Sequence, residues 1–239
     1  MKNIYAEIVA SDGKNLLAIL LDPDKLSVEQ AVDLVKKIDA TPATHLFVGG
    51  SSFDGNHLDE LITTLKQNTS LPVVLFPGNP GQISNQADAL LFLTLLSGRN
   101  PDYLIEHQVN AVPFLKKTDL EIISTGYILI ESGRETAVQR VTQTQPLDRN
   151  NSDYVVQTAQ AGELIGNKLI YLEAGSGAQL AVPLEMIRNV KQNIAVPLIV
   201  GGGIRSQKEI EDAFQAGANM VVIGTAFEND SNFFNTDVE

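Results

Sequence analysis

Glycine-rich turns close two apolar runs near the end of the chain, and they are candidate anion-binding sites. Gly201 and Gly202, with a third glycine behind them, follow the seventh of eight such runs, and Gly224 and Thr225 follow the eighth. Glycine lets main-chain N–H groups approach an anion closely, and a helix that begins there adds a favourable dipole. One glycine would only turn the chain, but this pattern at two successive runs favours phosphate binding. The pattern is generic and does not identify the phosphate.

The sixth apolar run ends in a glycine-rich segment that carries one carboxylate. The segment comprises Tyr171, Leu172, Glu173, Ala174, Gly175, Ser176 and Gly177. Because side chains alternate along a strand, Tyr171 and Glu173 should share one face, with Leu172 on the other. Glu173 could accept hydrogen bonds from substrate hydroxyls or act as a general base. It could equally be a solvated glutamate before a turn, and the residues alone leave both interpretations open.

The first apolar run also ends in a carboxylate, that of Asp22. Mg²⁺ prefers oxygen ligands and keeps several waters, so Asp22 is a natural ligand for it at the end of a strand. The alternative is structural, because Asp22 or Asp24 could cap the turn at Pro23. The second run ends in two glycines followed by Ser51, which places a hydroxyl beside the carboxylate of the first run.

Eight apolar runs must position these residues, and they alternate with amphipathic, helix-like segments. The runs lie at 16–21, 45–48, 72–76, 89–93, 126–130, 168–172, 197–200 and 220–223. Continuously apolar runs are typical of parallel strands buried on both faces. They predict an α/β fold, a (β/α)₈ TIM barrel, with a doubly wound open sheet as the second interpretation. The connection GNPGQISNQ is too short and turn-rich for a full helix, so we expect the third helix to be reduced to a loop.

Length and composition agree with one barrel. The chain has 239 residues, of which 44% are apolar and 19% charged, an ordinary globular mixture that argues against disorder. We therefore expect a single TIM-barrel domain over residues 1–239. Helix signals support the alternation: Ser27 and Gln30 form a capping box, Ser206 caps a later helix, and Gly217 ends it.

Charge and residue types exclude several classes of function. The net charge of −12 repels phosphate backbones, so we expect no nucleic-acid partner. The chain has no cysteine, which excludes disulfides and thiol catalysis, and His45, His57 and His107 do not share the spacing of metal ligands. The opening segment lacks the apolar run of a signal peptide, and no run approaches the roughly 20 residues that span a bilayer. We expect a soluble, cytoplasmic protein.

The motifs LDPDK, VGGSS, YLEAGSG, GGGIRS and IGTA, in this order, resemble those of the geranylgeranylglyceryl phosphate synthase family. Further similar stretches are FPG, QIS, ADALLF, SGRNPDYLIEHQ and STGYILI. The resemblance covers nearly the whole chain, and YLEAGSG is its most specific part.

The resemblance implies a prenyltransferase that joins a polyprenyl diphosphate to the 3-hydroxyl of sn-glycerol 1-phosphate. Geranylgeranyl diphosphate is the first candidate for the donor. It implies Mg²⁺ as cofactor, inorganic diphosphate as by-product, and a place in ether-lipid synthesis. By motif, Asp22 and Ser51 would hold Mg²⁺, and Lys25 would lie near the diphosphate. The residues implied for glycerol phosphate are Tyr171 to Gly177 with Gly201, Gly202, Gly224 and Thr225. Glu173 would orient the glycerol hydroxyls or take the proton, and Asp22 would serve catalysis through the metal.

Two departures and several alternatives accompany this hypothesis. Some members of the family carry a lysine where this chain has Leu20, and no DDxxD motif is present. A heptaprenyl donor, a phosphosugar isomerase, a flavin enzyme and a binding barrel without turnover remain open. A phosphosugar isomerase of this fold would need paired aspartates after the first and fifth strands. The fifth strand is followed by Glu131, so the chain fits that pattern poorly. An enzyme acting on apolar chains further suggests a homo-oligomer and transient membrane contact through apolar patches.

Overall fold

Eight parallel strands form a closed barrel in which each strand pairs with the next and the eighth pairs with the first. The computed structural model describes residues 3–11, 14–50, 57–230 and 233–234. The strands are β1 (Leu16–Leu21), β2 (His45–Val48), β3 (Val73–Leu75), β4 (Ala89–Leu95), β5 (Glu121–Leu129), β6 (Leu169–Glu173), β7 (Leu198–Gly201) and β8 (Met220–Ile223). The predicted (β/α)₈ barrel is confirmed, and the open sheet is wrong because the barrel closes between β1 and β8.

Helices surround the barrel in the connections between strands. Within the described ranges they are α1 (Ile4–Val9), α2 (Val28–Asp39), α3 (Leu58–Asn68), α4 (His107–Leu115), α5 (Ala137–Thr142), α6 (Ser152–Ile165), α7 (Leu184–Asn193), α8 (Gln207–Gln215) and α9 (Thr225–Asn229). A π-helical turn (Asp102–Glu106) leads directly into α4. None of the helices in this part of the chain has the length and apolar character needed to cross a membrane.

The side chains of each strand alternate between two apolar layers. Tyr171 and Ile199 point into the barrel interior, whereas Leu172 and Val200 pack in the layer between the strands and the helices. Because both layers exclude water, the strands are apolar along their whole length instead of alternating with polar residues.

The predicted helix signals have the expected geometry. The Ser27 hydroxyl accepts a hydrogen bond from the Gln30 amide, and the Gln30 side chain completes the capping box. Ser206 likewise accepts from the Glu209 amide at the start of α8, and Gly217 follows the end of α8 with a φ of +111°. The predicted fifth strand began five residues late, because polar Ser124 and Thr125 interrupt its apolar run.

The connection between β3 and β4 contains no helix, as predicted. β3 has only three residues, and it pairs with β4 at Val74–Ala89 and Leu75–Leu90 alone. β4 nevertheless continues to Leu95, where it still pairs with β5. The barrel is therefore uncovered on one side of β4, near its C-terminal end.

A short helix that the sequence analysis did not identify closes the opposite end of the barrel. Ile4 and Ile8 of α1 are buried among the interior side chains. The carboxylate of Glu121, at the start of β5, accepts hydrogen bonds from the main-chain amides of Ile4 (2.6 Å) and Tyr5 (3.1 Å). A carboxylate at the positive end of a helix stabilises its free N–H groups. A helix of six residues would not form alone, so packing and this cap hold it.

Candidate active site

A cavity of about 640 Å³ opens at the C-terminal ends of the strands. One end is lined by the glycine turns after β6, β7 and β8. The other end extends toward the connection without a helix, where Leu93, Tyr103 and Ala111 supply apolar surface. Active sites of this barrel type lie on this face. The cavity has room for a small anionic group at one end and an apolar chain at the other.

The carboxylate of Glu173 is buried at the polar end of the cavity, where only 6% of the residue is exposed. Its Oε1 accepts a 2.6 Å hydrogen bond from the main-chain amide of Gly175. A Cβ at Gly201 would lie 2.8 Å from its Oε2, and one at Gly202 would collide with its Oε1. The glycines after β7 therefore leave the space that this carboxylate occupies, and the interpretation of Glu173 as a solvated glutamate is wrong.

Burial raises the pKa of Glu173 from an ordinary value near 4.5 to about 7. The hydrogen bond from Gly175 and the phenol of Tyr171 lower it in part, because donors stabilise the charged form. The Tyr171 hydroxyl lies beside the carboxylate, although its geometry does not make a regular hydrogen bond with any described residue. A carboxyl group with a pKa near neutrality can accept or release a proton under physiological conditions.

Three aromatic rings near Glu173 line the cavity. Phe76 stacks on Tyr171 with 5.4 Å between ring centroids, and Tyr127 packs edge-on against Tyr171 at the same distance. Burial and the charge of Glu173 raise the pKa of both tyrosines well above the usual value. Both phenols are therefore neutral at physiological pH and form a rigid, apolar wall beside Glu173.

An ion-pair cluster lies at the mouth of the cavity. Lys25 Nζ is 3.3 Å from Asp22 Oδ2 and 3.0 Å from Glu228 Oε2. Burial acts to lower the pKa of Lys25, but its hydrogen bond to Glu228 and the charges of Glu228 and Asp22 outweigh this effect and raise it. The ammonium group of Lys25, beside the carboxylate that follows β1, could contact an anionic substrate directly.

The donor set for a metal ion is sparse. The described part of the chain contains no group of three or more histidine, aspartate or glutamate residues close enough to hold a metal. Asp22 supplies a partly exposed carboxylate that lines the cavity, and Glu228, on the other side of Lys25, supplies another. Mg²⁺ is commonly bound by one or two carboxylates together with substrate phosphates and water, and Asp22 fits that mode of binding.

The structure brings most of the predicted site residues together. Those that line the cavity are Asp22, Lys25, Tyr171, Glu173, Gly175, Ser176, Gly177, Gly202, Gly224 and Thr225. Leu172 and Ala174 are buried in the outer apolar layer, and Gly201 faces Tyr171 and Glu173. Ser51, the second predicted metal ligand, lies outside the described residues.

Four further residues of the site were not identified from the sequence. The guanidinium of Arg205 donates to the carbonyls of Ala178 (2.6 Å) and Gln179 (3.2 Å), and so joins the turns after β6 and β7. An arginine two residues after a run of three glycines is a visible signal in the sequence. The others are Phe76, Tyr127 and Glu228. Aromatic residues in apolar runs, such as Phe76 and Tyr127, are typical of a core, and Glu228 belongs to no motif.

Comparison with known proteins identifies similar chains over this whole structure. The model of the PcrB family matches residues 13–238. A protein named geranylgeranylglyceryl phosphate synthase from Flavobacterium johnsoniae is 64% identical, over 99% of this chain and 98% of its own length. A protein of the same name from Zunongwangia profunda is 47% identical, over 90% and 92%.

A solved structure agrees at the level of the fold. It is (S)-3-O-geranylgeranylglyceryl phosphate synthase from Thermoplasma acidophilum in complex with its substrate sn-glycerol-1-phosphate. This protein is 31% identical, with a TM-score of 0.91 over 98% of this chain and 95% of that one.

The space left by Gly202 generates a prediction about stability. Gly202 and Gly166 both have positive φ (+80° and +109°), but a Cβ at Gly166 meets no atom within 4 Å. Gly166→Ala should lower the free energy of unfolding by about 1–2 kcal/mol, the cost of the left-handed backbone alone. Gly202→Ala should cost at least about 2 kcal/mol more, because the methyl group collides with Glu173. Urea unfolding measures both losses. If the two variants lose the same free energy of unfolding, the Glu173 carboxylate does not need the space beside Gly202.

The raised pKa of Glu173 predicts a dependence of stability on pH. Between about pH 4.5 and pH 7, the folded protein holds a proton that the unfolded chain has released. The free energy of unfolding should therefore fall as the pH rises through this window, by about 3 kcal/mol in all, and stay level above it. Glu173→Gln, which does not titrate, should lack this contribution. Urea unfolding of both proteins from pH 5 to pH 8 measures the difference, and parallel curves would contradict the raised pKa.

Proposed function

Since this chain belongs to the PcrB family, we propose that it is a geranylgeranylglyceryl phosphate synthase. It joins a polyprenyl diphosphate to the 3-hydroxyl of sn-glycerol 1-phosphate and releases diphosphate. The observation that carries the proposal is the placement of Glu173: a buried carboxylate of near-neutral pKa lies between glycine turns, in a cavity whose other end is apolar. The names of the relatives agree with it.

Glycerol phosphate binds at the polar end in this proposal. Main-chain amides of the turns around Gly175, Gly202 and Gly224 would contact the phosphate, and the start of the helix behind Gly224 would add its dipole. Arg205 holds the turns after β6 and β7 together, so the amides keep their arrangement without substrate. Glu173 lies beside these turns and would accept hydrogen bonds from the glycerol hydroxyls.

Glu173 then serves as general base. Its carboxylate accepts the proton of the 3-hydroxyl while the glycerol oxygen forms a bond to the first carbon of the prenyl chain. The bond between that carbon and the diphosphate oxygen breaks, and diphosphate leaves. A pKa near 7 lets the group accept the proton in this step and release it to solvent before the next turnover.

The diphosphate end of the donor binds at the mouth of the cavity. Lys25 would contact the diphosphate, and Asp22 would hold Mg²⁺ there, with Ser51 proposed as a second ligand. When bound, the ion would neutralise the charge that develops on the leaving diphosphate. Some family members carry a lysine where this chain has Leu20. We therefore assign the contact with the diphosphate to Lys25 instead.

The prenyl chain occupies the apolar end of the cavity. β4 lies uncovered there beyond the end of β3, and apolar side chains from β4, α4 and α5 line the space. We propose geranylgeranyl diphosphate as the donor, with heptaprenyl diphosphate as the second candidate. A phosphosugar isomerase is disfavoured because Glu131, which follows β5, does not line the cavity.

We further propose that the enzyme is a cytoplasmic homo-oligomer. A chain without cysteine needs no oxidising compartment. Large apolar side chains are exposed on the outer side of the π-turn and α4, among them Ile105, Val109 and Phe114, and a second copy would cover them. Sedimentation velocity tests this assembly, and a monomer at every concentration would leave the surface to transient membrane contact instead.

A transfer assay tests the proposed function. Purified protein, Mg²⁺, labelled sn-glycerol 1-phosphate and prenyl diphosphates of increasing length are incubated, and lipid is extracted. Label should enter the organic phase, most with geranylgeranyl diphosphate, and Glu173→Gln should lose about 10²–10⁴-fold in kcat while remaining folded. Unchanged kinetics would remove Glu173 from the mechanism. Binding of glycerol phosphate without transfer would indicate a non-catalytic barrel, and a yellow protein would indicate a flavin enzyme.

The role of Asp22 has a matched control two residues away. Asp22→Asn should raise the Mg²⁺ concentration needed for half-maximal activity by about tenfold or more, because the amide is a weaker ligand. Asp24→Asn removes an exposed carboxylate of the same loop and should leave this concentration unchanged. Removal of metal by EDTA should abolish transfer, and restored Mg²⁺ should recover it. If activity persists in EDTA, the metal is not required.

A further inference from the structure

One buried side chain joins the two walls of the apolar end of the cavity. Gln108 lies in the first turn of α4 and is 8% exposed. Its amide nitrogen donates to the main-chain carbonyls of Leu93, on β4, and Tyr103, in the π-turn. Gln108, Leu93 and Tyr103 all line the cavity.

The position of Leu93 explains why such a bond is needed. β3 pairs with β4 no further than Leu90, so the last residues of β4 have no strand beside them on that side. Leu93 is partly buried, and a carbonyl that is kept from water without a partner destabilises a fold by roughly 1–3 kcal/mol. The side chain of Gln108 supplies a donor to this part of β4 from a helix instead of from a strand.

The second bond acts on the π-turn. Tyr103 lies five residues before Gln108, and π-turns are rare and often occur at functional sites. The same turn is joined to α5, because Tyr103 Oη donates to the Val141 carbonyl (3.3 Å) and the Asn100 side chain donates to the Thr142 carbonyl (2.9 Å). Gln108 therefore connects β4 to a turn that is itself fixed to α5.

The hydrogen bonds of the Gln108 side chain are made by its amide nitrogen and not by its amide oxygen. Oε1 is buried without a hydrogen-bond partner among the described residues. Both neighbours of the nitrogen are carbonyl acceptors, so the amide cannot turn round without placing oxygen against oxygen. A methionine would fill the same space without an unsatisfied oxygen, but it would leave both carbonyls without this donor.

We propose that Gln108 is a positioning residue that sets the width of the apolar end of the cavity and thereby the selectivity for the prenyl donor. By tying α4 and the π-turn to β4, it fixes the distance between the surfaces that contact the chain. It has no contact with the reacting atoms in this role. The proposal rests on the proposed function, since it concerns where the prenyl chain of that reaction lies.

The test is Gln108→Met, with Gln67→Met on the exposed side of α3 as the matched control. The variant should raise the KM for geranylgeranyl diphosphate about tenfold and change kcat less than about threefold, because binding and not chemistry is affected. The ratio of kcat/KM between the best donor and the next shorter one should fall at least about threefold. The KM for sn-glycerol 1-phosphate should not change, and the Gln67 variant should match the unmodified protein.

Two measurements do not depend on turnover. Calorimetry with geranylgeranyl diphosphate alone should show weaker binding to Gln108→Met, and hydrogen exchange of residues 101–115 should be faster. If the methionine variant does not fold, Gln108→Asn, which keeps a shorter amide, should show the same changes at smaller size. Unchanged selectivity and exchange in a folded variant would overturn the role of Gln108 alone. An unmodified protein that neither binds nor transfers a prenyl donor would overturn the proposed function, and this role with it.

Discussion

The barrel keeps the carboxylate of Glu173 out of water, and the loops at its C-terminal end are shaped around that requirement. A buried carboxylate is costly unless donors face it and nothing else fills its space. Gly175 supplies the donor, and Gly201 and Gly202 supply the space. Gly175 and Gly202 also line the cavity. In the proposed function, one set of small residues would therefore both house the base and bind the anion, so that a change made for one purpose would affect the other.

The two ends of the cavity arise from different parts of the fold. The polar end is regular. The last residue of β6, Glu173, pairs with the last residue of β7, Gly201, which pairs with Val222 near the end of β8. The apolar end depends on irregularity, because β3 is short, its helix is missing, and a π-turn precedes α4. The rings of Phe76, Tyr127 and Tyr171 pack against one another and line the same cavity as both sets of residues.

The features that the sequence predicts are those encoded by residues close to one another along the chain. Strands buried on both faces give continuous apolar runs, and caps such as Ser27 with Gln30 lie within four residues of each other, so both were identified. The burial of Glu173 depends on glycines of another strand, and no local pattern encodes it. The helix α1 and its cap by Glu121 are separated by more than a hundred residues. Gln108 belongs to the stretch SGRNPDYLIEHQ, but its hydrogen bond to Leu93 follows from the early end of β3, which no local pattern encodes.

The contact between α1 and Glu121 also bears on the order in which the chain can fold. Its partners are 117 residues apart in sequence, and contacts of such long range form slowly because a large loop must close first. During synthesis Glu121 follows α1 by more than a hundred residues, and until it has been made the helix is capped only by the side chain of Asn3, at the amide of Ala6. The helix α1 is thus made long before Glu121, and an incomplete barrel has an open base through which its apolar interior meets water.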